Sequence, residues 1–67
     1  MELLTADTIT DEEVRDLRAA LVSEGKATLL GRCDEALGLI HRHGSTVLKA
    51  RRQCAEILNE RRAAEGK

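Results

Sequence analysis

The chain has 67 residues, a formal net charge of -1 and no Phe, Tyr or Trp. That length allows one domain near the lower limit of independent folding, and a core without aromatic rings has to come from Leu, Ile, Val, Ala and Cys. Bulk charge this close to zero gives no electrostatic reason to expect nucleic acid, and no apolar run approaches the ~18 residues of a membrane span.

Charge is unevenly spread. Residues 1–40 carry nine acids against four bases, and residues 41–67 carry seven bases against three acids. Such polarity orients two chains head to tail or places a basic face on an acidic protein; a solvated helix surface is the plainer explanation. The N-terminus shows neither a basic n-region nor an apolar h-region, so the cytoplasm is the expected compartment. Two cysteines make no secreted scaffold, and both are expected as thiols.

Residues 1–8 read as a flexible leader, with Leu3 and Leu4 available to dock on the core. The first helix is predicted over 11–24. Thr10 is a good N-cap and Glu13 completes a capping box. Ile9 and Val14 occupy the positions of a hydrophobic staple, and Asp11, Glu12 and Glu13 suit the positive end of the helix dipole. Val14, Leu17 and Leu21 recur at helical spacing, and Gly25 serves as the C′ residue.

The second helix is predicted over 27–40, with Leu29, Leu30, Cys33, Ala36, Leu37 and Ile40 on one stripe. Gly31 lies inside it at a cost of ~1 kcal/mol relative to alanine, which close packing of another helix would explain. The segment from Gly38 to Gly44, holding His41-Arg42-His43, is the least defined. The third helix is predicted over 46–63, capped by Ser45. Its inner stripe is Val47, Ala50, Cys54, Ile57, Leu58 and Arg61, with Arg51, Arg52, Asn59 and Arg62 outside it. No proline interrupts these helices, and no period-2 alternation marks a strand. Residues 9–64 thus read as a single helical domain, with a frayed tail at 65–67.

Chemistry-bearing patterns are weak. Cys33 and Cys54 fall on inward stripes, where a free cysteine is a small buried hydrophobe. His41 and His43 could join them as zinc ligands, but the paired close spacing of a zinc finger is missing. Gly25-Lys26-Ala27-Thr28 lacks the upstream glycine and the strand of a phosphate loop. Ser45 near His43 names no nucleophile, because a chain this small has little room for a pocket of ~300 Å³. No catalytic residue, metal ligand or cofactor site is therefore expected. A helix-turn-helix would need a basic outer face on its recognition helix, and the second helix offers only Arg32.

The segments Ile9-Thr10-Asp11, Val14-Arg15, Leu17-Arg18, Gly25, Cys33-Asp34, Ala36-Leu37, Ala50-Arg51, Cys54-Ala55 and Ile57 form a pattern. It resembles a group of short helical proteins found in bacterial, phage and plasmid sequences. Their segments read Ile-Thr-Asp, Ile/Val-Arg-x-Leu-Arg, Gly, Cys-Asp-x-Ala-Leu and Ala-Arg-x-x-Cys-Ala. The resemblance spans residues 9 to 58, and the chain departs from it between Leu37 and Ala50, where it is about two helical turns longer. No activity is assigned to the group, so the resemblance implies helical architecture and mobile-element origin and no chemistry.

The expected fold is all-α, a small antiparallel three-helix bundle completed by dimerisation. The second and third helices offer more apolar length than a short first helix covers. Val47, Leu48, Cys54, Ile57 and Leu58 are the candidate dimer or partner interface, in a two-fold homodimer. The expected function is a non-enzymatic interaction or regulatory accessory protein with a protein partner and no membrane contact. The competing expectation is a nucleic-acid-binding regulator using Lys49, Arg51, Arg52, Arg61 and Arg62 on phosphates.

Overall fold

A computed structural model of the chain describes residues 2–66. Met1 of the expected leader and Lys67 of the expected tail lie outside the described residues. Three helices follow in order, α1 (Asp11–Ser23), α2 (Ala27–Ala36) and α3 (Val47–Glu65), with no strand among the described residues.

The start of α1 follows from its cap. Thr10 is extended; its hydroxyl accepts from the Glu13 amide at 3.1 Å, and the Glu13 carboxylate accepts from the Thr10 amide at 3.0 Å. Both orphan donors are thereby satisfied. Ile9 and Val14, flanking the cap, are both buried, along with Leu17 and Leu21. At the far end Gly25 takes φ 73°, its amide donating to the Val22 carbonyl and the Lys26 amide to the Leu21 carbonyl. This left-handed closure is cheap only for glycine.

The same device stops α2 four residues short of its expected end at Ile40. Gly38 takes φ 75°, the Gly38 amide donates to Glu35 and the Leu39 amide to Asp34. Ile40, expected on the inner stripe, is 41 % exposed. The start of α3 is shifted by one: Thr46, not Ser45, is the N-cap, its hydroxyl accepting from the Lys49 amide at 3.1 Å. Ser45 is occupied elsewhere, donating its hydroxyl to the Glu35 carboxylate at 2.8 Å. The helix continues through Glu65, into the expected tail.

The core is small and its largest fully buried members are Ile9, Leu17, Leu21, Val14, Cys33 and Cys54. Leu4, Leu29, Leu30, Leu37, Ile57 and Leu58 pack around it, half-buried. Most helix–helix packing involves α2, which lies against both neighbours, while α1 and α3 meet least. The radius of gyration is 11.4 Å, close to the ~11 Å of a compact chain of this length.

The leader needs correction, because most of it packs on the domain. The Leu4 amide donates to Asn59 Oδ1 and Asn59 Nδ2 donates to the Leu4 carbonyl, both at 2.9 Å. Arg51 donates to the carbonyls of Ala6 and Ile9. Thr5 and Thr8 close a turn on each other, with the Ile9 amide on the Thr5 carbonyl. Backbone groups pressed on a helix must find partners, and polar side chains of α3 supply them.

Candidate partner-binding surface

The five apolar residues expected at an interface do not form one surface. Cys54 is fully buried inside the chain's own core and so is no surface residue. Ile57 and Leu58 are half-buried, packed against that core. Only Val47 and Leu48 are open, at 39 % and 60 % exposure. They are accompanied by Leu39 and Ile40, which the early stop of α2 releases from the inner stripe. Among the described residues these four make up most of the exposed large apolar side chains; Leu3 and Val22 are the other two.

The basic residues of α3 divide in the same way. Arg51 lies half-buried, its guanidinium spread over two carbonyls of the leader and the Asp11 carboxylate at 2.8 Å. Arg61 holds Glu24 with both terminal nitrogens, one at 2.8 Å. Arg62 reaches Glu13 at 2.8 Å. These three tie α3 to α1 and the leader. Arg52 sits at the surface 3.5 Å from Glu56, and Lys49 is exposed. On the second helix, Arg18 of α1 holds Asp34 at 2.8 Å.

Perturbed ionisation follows these contacts. The Arg61 guanidinium lowers Glu24 to about 2. The Thr10 amide and then Arg62 lower Glu13. Cys33 and Cys54 face each other at 3.9 Å between sulfurs, and the hydrogen bond between them, reinforced by burial, pushes the Cys54 thiol up. Strongly perturbed groups are candidates for chemistry, but each of these is accounted for by a partner that joins two elements of the fold.

The connection between α2 and α3 folds back over Glu35, a carboxylate only 2 % exposed. Ser45 serves one oxygen; the other lies 3.2 Å from Arg42 Nε and accepts no hydrogen bond. Arg32 stands 3.9 Å away. Above the carboxylate is a cavity of about 10 Å³ flanked by Ile40 and Val47, a volume that suits one water molecule. A wider groove of about 330 Å³ runs between residues 4–7 and Arg52, Ala55 and Glu56 of α3. Its charged groups, Asp7, Arg52 and Glu56, are exposed rather than convergent.

The four residues weighed as zinc ligands are not gathered: the cysteines are in the core while His41 and His43 are exposed. No cluster of three His, Cys, Asp or Glu side chains suited to a metal occurs among the described residues. No helix among them is long and apolar enough to cross a membrane. Fold and surface thus define a small all-helical protein of three helices with an apolar corner between α2 and α3. No protein-family model, curated protein or solved structure matches the chain.

Proposed function

We propose that this chain is a non-enzymatic interaction protein, an accessory or regulatory factor of mobile-element origin, that binds another protein through the corner formed by Leu39, Ile40, Val47 and Leu48. The observation carrying this reading is the concentration of exposed apolar side chains at one end of a molecule whose other large apolar residues are mostly covered. Removing such a patch from water is favourable at roughly 25 cal/mol per Å². The nucleic-acid reading has less support, since Arg51, Arg61 and Arg62 are engaged within the chain. Lys49 and Arg52 alone would release few counterions, giving a shallow dependence of affinity on salt.

The two-fold homodimer, completing an antiparallel bundle, is the alternative occupant of the corner. Sedimentation equilibrium separates the readings. A 7.4 kDa species that persists at high micromolar concentration leaves the corner for a different protein. A dimer that dissociates on Leu48→Glu assigns it to a second copy. Titration against duplex DNA and RNA at two salt concentrations completes the test, and tight, sequence-dependent binding there would show the interaction-protein reading to be wrong.

A further inference from the structure

Between Glu35 and Glu56 the chain carries Arg42, Lys49, Arg51 and Arg52, with His41 and His43, and no acidic residue. The same stretch holds the four exposed apolar side chains of the corner. An apolar patch with a basic rim is therefore built where the connection meets the start of α3. We propose that this corner receives a helix of a different protein, apolar on one face and flanked by Asp and Glu. This rests on the interaction-protein reading above and adds the chemistry of the partner.

The acids near the corner do not cancel its rim. Glu35 lies beneath the connection and is already offset by Arg42 and Arg32. Asp11 is taken by Arg51. Arg52 has only an exposed partner in Glu56, and pairs of that kind are weak. The first turn of α3 contains no acid, so the positive end of its dipole adds to the same sign. Carboxylates on a docking helix would complete both.

A second copy fits this corner less well. A two-fold contact would set the basic rim against itself, and like charges across an interface oppose association. Docking the corner onto the acidic α1 of another copy would leave both ends unsatisfied and grow an open chain. Duplex phosphates would engage the bases and leave Leu39 and Leu48 in water. A bilayer surface would find four aliphatic side chains and no aromatic residue to seat at its interface. An amphipathic helix uses both features at once, apolar anchors at i, i+3, i+4 and i+7 against the patch and acids against the rim.

The test uses the whole chain and fluorescence anisotropy with two labelled helical peptides. They share leucines at i, i+3, i+4 and i+7 and differ in carrying glutamate or lysine elsewhere. Phosphatidylserine–phosphatidylcholine vesicles and duplex DNA are titrated in parallel. The glutamate peptide is expected to bind at least about tenfold more tightly than the lysine peptide, with affinity falling as salt rises. Leu48→Glu and Lys49→Glu should each weaken that binding while leaving the circular dichroism spectrum unchanged, because both side chains are exposed. Equal or tighter binding of the lysine peptide at this corner overturns the acidic partner and leaves the interaction-protein reading standing. Failure of both peptides, with vesicles or DNA held through Leu48 and Lys49, overturns both. Glutamate-peptide binding that ignores the Leu48 and Lys49 substitutions overturns the assignment to this corner.

Discussion

Gly31 shows how one position changes meaning once the chain is folded. Its place inside a helix suggests a close approach by another helix. A Cβ at Gly31 would instead meet only Arg42 Nη1, at 3.9 Å, an ordinary contact with the end of a flexible side chain. Nothing in the packing requires the glycine, and its backbone freedom in the unfolded chain is a cost. Gly31→Ala is therefore expected to stabilise the protein by about 1 kcal/mol, a rise in melting temperature of several degrees, measured by thermal circular dichroism. An unchanged or lower melting temperature would show that Arg42 cannot yield. Arg51 and Asn59 make the opposite point. Both lie outside the apolar stripe of α3 and look like solvated polar residues in sequence. Their partners are backbone groups more than forty residues away along the chain, which no local spacing reveals.

The three helices differ in how far their bounds were legible. For α1 the cap, the box and the closing glycine are local chemistry within a few residues, and expectation and structure agree to one residue. For α2 the apolar rhythm continues through Ile40, but Gly38 takes the left-handed conformation that ends the helix. Periodicity says which residues would share a face if the helix continued; it does not decide between Gly38 as a soft spot and Gly38 as a stop. For α3 two adjacent cap formers competed, and the buried Glu35 carboxylate drew Ser45 away.

Helices α1 and α3 pack least, and ion pairs join them across that seam. Glu24 and Glu13 are both lowered below the ordinary 4.5 by contacts that include Arg61 and Arg62. A carboxylate depressed in the folded state stabilises fully above its unfolded value, and the contribution is lost as pH falls through the folded one. For Glu24 that window runs from 4.5 down to about 2. The melting temperature should thus fall between neutral pH and about pH 3. Glu24→Gln should show a smaller fall over the same interval. An equal fall in the variant would show that the Arg61 pair contributes nothing to the acid response.

At the scale of the whole molecule, a nine-residue core with no aromatic ring leaves little margin, since a domain of this size is stable by only about 5 kcal/mol. Cys33 and Cys54 bring α2 and α3 together in the middle of that core. With both sulfurs buried and the Cys54 thiol held protonated, thiolate and access are both lacking. Iodoacetamide is expected to leave both cysteines unmodified in the native protein and to alkylate both in denaturant, as read by mass spectrometry. Rapid native labelling would mean that the α2–α3 contact opens readily.

The segments that resemble short phage and plasmid proteins also make sense at this scale. Ile9, Val14, Leu17, Cys33, Ala36, Ala50, Cys54 and Ala55 are core residues. Thr10 is a cap, Gly25 closes a helix, and Arg18, Asp34 and Arg51 join elements. The pattern describes how such a chain folds, and the corner proposed to bind a partner lies in the stretch between Leu37 and Ala50 where the chain departs from it.

Helical class, the start of α1 and the burial of both cysteines were determined by sequence alone, because capping and 3.6-residue periodicity act among neighbours within a turn or two. The attachment of residues 4–9 to α3, the burial of Glu35 and the exposure of Leu39 and Ile40 were decided only by the tertiary structure. Each depends on a contact across a loop or between distant segments, and such contacts exist only after a glycine turn has set where the chain goes next.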